Sequence, residues 1–225
     1  MKLWFRCNAL VAFSGRLHEL AISLEELSPK VQRKEFLDGL IPELYAVAVD
    51  AFGKSLPYEA IDERTRTAEY LLLLKRQGRI IGYAVNDLLE IAGQRVNYYA
   101  TALLRREIQQ HGLYELLNEH RADALPASIV MTRTQNPVVY RSMQRLCVSR
   151  GYELHPNGKA VPEAMRAIAR AYCGADEQLI ARGVYFGRSL MDDTPLPKTE
   201  EERKVWSNIA VEKGDAVVIV GVRPL

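Results

Sequence analysis

The order of elements along the chain predicts an α+β fold: a mixed, mostly antiparallel central sheet with flanking helices. Three observations lead there. The stretch "RQGR" at 76–79 lies between two apolar runs and reads as a hairpin, and a third strand pattern follows after Gly93. Helix patterns then alternate with single strands in mixed order, which argues against a doubly wound parallel sheet. The chain closes on "DAVVIVGV", an unbroken apolar run of the kind that is buried on both faces.

Taken in order, residues 1–30 hold one or two strands, with "LHELAISLEEL" the better candidate. Residues 35–52, "EFLDGLIPELYAVAVDAF", read as a helix with an internal proline, ended by Gly53. "EYLLLLKRQGRIIGYAVNDLL" is the hairpin and "QRVNYYATALL" the third strand. A helix follows, opened by Gly112, because Leu113, Leu116 and Leu117 share one helical face. "ASIVMTRT" is a strand of β-branched and apolar residues. "NPVVYRSMQRLCVSRG" is a helix with Asn136 at its N-cap, Pro137 at the first position and Gly151 at its C-terminal end. Its expected buried stripe is Val139, Met143, Leu146 and Cys147.

Beyond Tyr152 the pattern loosens. "VPEAMRAIARAYC" reads as a helix, "RGVYFGRSL" as a strand, and "PLPKTEEERKVW" as a loop entering a helix with Thr199 and Glu202 spaced as a capping box. One domain over 1–225, with a helical insertion at about 156–182, accounts for this order.

Composition sets bounds. The chain has 225 residues, is 48% hydrophobic and 26% charged, and carries a formal net charge of +2. This is an ordinary globular balance, with no charge excess that points to nucleic acid or to an acidic membrane. The three cysteines, Cys7, Cys147 and Cys173, are odd in number and form no C-x-x-C. They argue for a reducing compartment, so a cytoplasmic location is expected. The opening "MKLWFRCNALVAFSG" has too short an apolar run for a signal peptide, and no stretch is long enough to span a membrane.

Gly112 raises the functional question. Glycine at the front of a helix costs roughly 1 kcal/mol relative to alanine. A helix start presents up to four unpaired N–H groups at the positive end of the helix dipole, which suits a diphosphate. A glycine there lets phosphate oxygens approach the backbone. Close helix–sheet packing without a ligand is the plain alternative.

With these residues on the page, the chain resembles the GNAT family, the acyl-CoA-dependent N-acyltransferases. The family pattern Q/R-x-x-G-x-G/A falls on Gln109, Gln110, His111, Gly112, Leu113 and Tyr114. Asn136 after the next strand, and a helix ending in "GY" where the family often has "GF", extend the likeness over about residues 35–155. Tyr114 departs from the small residue of the pattern, so it needs a wider gap or must point away from a ligand.

The resemblance implies acetyl-CoA or another acyl-CoA as co-substrate and an amine acceptor, with a homodimer left open. It places the pantetheine arm along the backbone of Leu103, Leu104 and Arg105, with Asn136 beside it or acting only as a cap. Residues near the implied cleft that suit proton transfer are Asp87, Glu90, Tyr98 and Tyr99. Strand alternation puts Tyr98 and Tyr99 on opposite faces, so at most one faces the acceptor; Tyr99 is taken here. In the family a helix tyrosine often protonates the thiolate. Tyr140 is the only tyrosine on this helix, although the family's usual spacing falls on Cys147 or Met143. Cys147 itself sits on the apolar stripe and reads as inert. Arg105, Arg106, Arg133, Arg141 and Arg145 are expected near these elements, to hold a phosphate, to guide an acidic acceptor, or to form a solvated face. His111 and His120, nine residues apart, are poor metal partners. Two other readings compete: a non-catalytic acyl-CoA-binding or degenerate module on the same fold, and an interaction domain that uses the arginines.

Overall fold

The computed structural model describes residue 15 and residues 17–223. Eight strands make one sheet: β1 (Ile22–Leu27), β2 (Tyr70–Arg76), β3 (Arg79–Ile91), β4 (Gln94–Leu104), β5 (Ile129–Thr134), β6 (Glu153–His155), β7 (Ile180–Ala181) and β8 (Ala216–Val222). Their order is β1-β2-β3-β4-β5-β8-β6, with β7 also on β8. Every pairing is antiparallel except β4 with β5. The helices are α1 (Lys34–Phe52), α2 (Tyr58–Thr67), α3 (Leu113–Ala124), α4 (Pro137–Arg150), α5 (Glu163–Cys173) and α6 (Glu200–Trp206).

The two hairpins form where sequence chemistry allows left-handed backbone. Gln77 and Gly78 turn β2 into β3, and Ala92 and Gly93 turn β3 into β4, all with positive φ. Asn136 caps α4 by accepting from the Val138 amide at 2.9 Å, and Gly151 ends it with φ 70°. The Thr199 hydroxyl accepts from the Glu202 amide, as the capping-box spacing predicts.

Helices cover both faces of the sheet. α1 packs on Leu71, Leu73, Tyr83 and Val85, and α5 packs on Tyr98, Met131 and Val218. On the opposite face α3 meets Leu72, Ala84 and Leu104, while α4 meets Val130, Val217 and Ile219. β8 is buried along Ala216–Gly221, as its unbroken apolar run predicts.

Several expectations change. "LHELAISLEEL" is strand only from Ile22, and Cys7 lies outside the described residues. "RGVYFGRSL" is not a strand. Gly183, Phe186 and Gly187 all take positive φ, which an extended chain does not allow, and the short β7 precedes them. The stripe of α4 includes Tyr140 and Ser142, while Val139 is only half-buried. The sequence reading missed α2 altogether.

Two features place the site. First, β4 pairs with β5 at three positions only, ending at Tyr98 with Met131. β4 then runs on to Leu104 against β3, and β5 runs on to Thr134 against β8. The strands part like a wedge, and the Thr132 hydroxyl reaches the Tyr99 carbonyl at 2.8 Å where it opens. Second, the β3–β4 register shifts between Val85 and Asn86, so Ala100 is an extra residue on β4 beside the opening.

Candidate functional site

The loop that leaves β4 is shaped by its own residues. Arg106–Ile108 makes one 3-10 turn, with Ile108 buried beneath it. The Gln109 amide group donates to the Leu104 carbonyl at 2.9 Å and ties the loop to the strand end. Gln110 and Gly112 both take left-handed φ, near 68° and 69°. The main-chain N–H groups of Gln110, Gly112, Leu113 and Tyr114 donate to no described residue. They stand at the start of α3, beside a cavity of about 340 Å³ lined by Glu19, Leu20, Gln110, His111 and Gly112. This is the chemistry of an anion cradle, with Glu19 as its one opposing charge. Tyr114 does not line the cavity. It is half-buried against the α3-side core, and burial raises its phenol pKa.

A buried polar network holds α3 against the sheet. Arg121 is 1% exposed. Its guanidinium donates to Asn86 Oδ1, to Asn118 Oδ1 at 3.2 Å and to the Val85 carbonyl, beside the register shift, at 3.2 Å. It also lies 4.3 Å from the Tyr99 ring centroid. Asn86 donates to Asn97, which in turn donates to the Leu125 carbonyl at 2.6 Å. No sequence signal separated this arginine from a solvated helix residue.

The opposite side of the wedge, facing α2 and α5, gathers other residues. Asp87 is 5% exposed; it accepts from Arg64 at 2.7 Å and from the Glu69 amide at 3.2 Å. Tyr98, its cross-strand neighbour, packs on Tyr172 with ring centroids 4.6 Å apart. Burial holds the Tyr98 phenol well above its ordinary pKa, so it stays protonated. Arg133 stacks on Tyr185 at 4.9 Å, and the Tyr185 hydroxyl donates to the Arg133 carbonyl at 2.6 Å.

The structure brings some expected residues together and separates others. Gln110, His111 and Gly112 line the cavity, and Leu113 and Tyr114 add amides with no acceptor among the described residues. Leu103, Leu104 and Arg105 run along the wedge, but the Leu104 carbonyl is taken by Gln109 and the Arg105 amide by the Ile81 carbonyl. The Asn136 side-chain oxygen is used by its own helix cap. Asp87 faces the α2–α5 side.

Glu90 lies away from the wedge. It is exposed on the opposite face near the far end of the β3–β4 hairpin, paired with Arg95 across the strands. Tyr99 points the other way, its hydroxyl on the Asn118 carbonyl, so Tyr98 is the tyrosine on the α2–α5 side. Beyond Tyr99 the extra residue Ala100 resets the alternation.

Tyr140 is fully buried. Its hydroxyl lies 2.6 Å from the Pro156 carbonyl and 2.7 Å from Glu201, and its ring meets Trp206 edge-on. Those contacts hold the hydroxyl away from the wedge, between Pro156 and Glu201. Burial pushes the Cys147 thiol up to about 12, which leaves it inert.

The arginines are dispersed: Arg141 pairs with Glu202, Arg145 with Glu115, and Arg105 with the Ile80 carbonyl. Residues that the sequence reading did not single out are Arg64, Tyr172, Tyr185 and Gln135. Gln135 is buried directly after β5. Its amide donates to the Val211 and Asp215 carbonyls, both at 3.0 Å, and accepts from Leu190, which fixes the 188–190 segment beside the wedge.

Solved structures similar to this chain include GNAT acetyltransferases. The ribosomal-protein-S18-alanine N-acetyltransferase of Escherichia coli aligns over 91% of this chain and 96% of its own, at 10% identity and a TM-score of 0.49. A GNAT family acetyltransferase from Elizabethkingia anophelis, solved with acetyl-CoA bound, aligns over 90% and 98%, at 16% identity and a TM-score of 0.45. A Pyrococcus horikoshii protein that carries the name acetyltransferase aligns over 56% of this chain but only 42% of its own, at 10% identity and a TM-score of 0.44. No protein-family model matches the chain, and no curated protein sequence matches it. No helix of the described residues is long and apolar enough to cross a membrane.

Proposed function

We propose that this chain is an acyl-CoA-dependent N-acyltransferase of the GNAT type, with acetyl-CoA as its acyl donor. One observation carries the reading. The wedge between β4 and β5 opens beside a helix start whose amides, at Gln110, Gly112, Leu113 and Tyr114, have no described acceptor and adjoin a cavity. Those amides would hold the diphosphate, and the exposed edge of β4 up to Leu103 would lie along the pantetheine. Gln109 shapes the loop from behind. A diphosphate fits this site because N–H groups and the helix dipole converge there, against a single carboxylate.

The acceptor enters from the α2–α5 side. Its amine nitrogen attacks the thioester carbonyl carbon, the N–C bond forms, and the C–S bond breaks to release a thiolate. A thiol with a pKa near 8.5 leaves tolerably without a proton donor, so the enclosure of Tyr140 does not block the reaction. The amine must first lose a proton. At pH 7 this costs about 4.6 kcal/mol for a lysine amine and about 1.4 kcal/mol for an α-amine. Asp87 Oδ2 already accepts from Arg64, and Oδ1 from the Glu69 amide. That pairing suits an α-amine better than a lysine.

The enclosure of Tyr140 favours a second reading, an acyl-CoA-binding module without catalysis. Thermal melting separates the readings. Acetyl-CoA at about 100 times its dissociation constant should add about 2.7 kcal/mol. Stabilisation together with free-thiol release in the presence of amines supports the enzyme. Stabilisation without thiol release supports the module, and no stabilisation rejects both.

A further inference from the structure

Arg133 differs from the other arginines around the site. Arg64 reaches Asp87, Arg141 reaches Glu202, and Arg150 reaches Glu119 and Asp123. Arg121 has no carboxylate, but its guanidinium donates to three oxygens. Arg133 forms no ion pair among the described residues, and its Nε is buried without an acceptor. It projects on the acceptor side, two residues beyond Met131, where β4 and β5 last pair. Around it stand Tyr185 at 4.9 Å, the stacked rings of Tyr98 and Tyr172, and Cys173. The carboxylate next to Tyr98 is Asp87, which Arg64 already occupies.

A guanidinium presents two edges, each able to make paired N–H bonds to one carboxylate. In Arg133 the Nε of one such edge has no acceptor among the described residues. An enclosed guanidinium with an unmet N–H costs free energy unless an acceptor meets it. The aromatic walls favour a flat, weakly hydrated partner over a strongly hydrated one.

We propose that Arg133 is the carboxylate anchor of the acceptor site, and that the acceptor is a free α-amino acid acylated on its α-amine. The proposal rests on the transferase reading and names its substrate class. The carboxylate sits on the Nε edge of Arg133, and the amine, two bonds away from the carboxyl carbon, is directed toward the opening between β4 and β5. Because Nε is enclosed, the carboxylate reaches it by displacing the Tyr185 ring, which is carried on a largely exposed turn. The low deprotonation cost of an α-amine suits a site whose neighbouring carboxylate, Asp87, is already engaged by Arg64.

The test compares amino acids with their C-terminal amides as acceptors, following thiol release from acetyl-CoA. Wild type should prefer at least one free acid over its amide by roughly 100-fold in kcat/KM. Arg133→Gln should erase that preference, and Arg133→Lys should restore part of it, while both variants keep their stabilisation by acetyl-CoA as proof of folding. In parallel, N-acetyl amino acids and their amides are titrated against wild type and Arg133→Gln, with melting temperature as the readout and no acyl-CoA present. Equal use of acids and amides by wild type, or a preference that survives in Arg133→Gln, overturns the anchor while leaving the transferase reading intact. Arg133-dependent stabilisation by N-acetyl amino acids, in a protein that acetyl-CoA does not stabilise, supports the anchor and rejects the transferase reading.

Discussion

Gly82→Ala probes the strand on which the proposed donor site depends. Gly82 lies on β3 opposite Leu104. A Cβ at this position would stand 2.6 Å from Leu104 Cδ2 and 2.9 Å from the Leu103 carbonyl oxygen. The leucine tip can rotate away. The carbonyl is backbone and falls short of an ordinary contact by about half an ångström, so β4 itself must shift along its wedge edge. Overpacking of this kind costs about 1–3 kcal/mol. For a chain of this size that is roughly 2–12 °C in Tm. The matching control is Gly39→Ala, in the exposed middle of α1, where a Cβ meets nothing within 4 Å. There the lower chain entropy of alanine should stabilise by about 0.4–1 kcal/mol. Melting by circular dichroism reads both variants, and acetyl-CoA titration of Gly82→Ala should show weakened affinity. If Gly82→Ala melts with wild type and binds acetyl-CoA equally well, the wedge edge of β4 is not held as described.

Other perturbations test separate parts of the account. Glu19→Gln removes the one carboxylate from the lining of the proposed diphosphate cavity. At about 1 kcal/mol for a solvent-exposed charge pair, acetyl-CoA should bind roughly fivefold more tightly, as calorimetry would read. Tyr140→Phe should cost about 1–2 kcal/mol of stability through its lost buried hydroxyl and leave kcat within about twofold; a large fall in kcat would return Tyr140 to the role of acid. Glu202 is fully buried against Arg141. Burial pushes its carboxyl up, but the Lys198 amide, Arg141 and the Thr199 amide outweigh that, so its pKa is depressed. A depressed folded pKa contributes stability above the unfolded value near 4.3, and that contribution is lost as pH falls through the folded value. Glu202→Gln should therefore destabilise at pH 7, and its deficit against wild type should shrink below about pH 4 in urea titrations.

Much of the sheet was legible because turn chemistry is local. Gln77-Gly78 and Asn136-Pro137 each fix a conformation through their own backbone preferences. α2 was not legible, since "YEAIDERTRT" has Thr65 as its one buried residue and reads as polar throughout. The turn at 182–188 has the run Val184-Tyr185-Phe186, residue types that favour a strand, while positive φ at three of its residues bends the chain. The helix start at Gly112 is legible from the leucine spacing that follows it, whereas the left-handed φ of Gln110 and Gly112 is not. Alternation tells that Tyr98 and Tyr99 oppose each other but not which helices cover each face. Arg121 carries no local mark, and Arg133 stands only as one of five arginines expected near these elements. Their distinction lies in their partners: three buried oxygens for one, and an unmet Nε for the other.

The most direct measurement is an amide-resolved 15N–1H correlation spectrum recorded with increasing acetyl-CoA, with inorganic pyrophosphate added in a separate series. The Gln110, Gly112, Leu113 and Tyr114 amides should move farthest with both ligands, because the diphosphate is their missing acceptor. Saturable acetyl-CoA binding that leaves these four amides unmoved would contradict the account, and so would the absence of any binding.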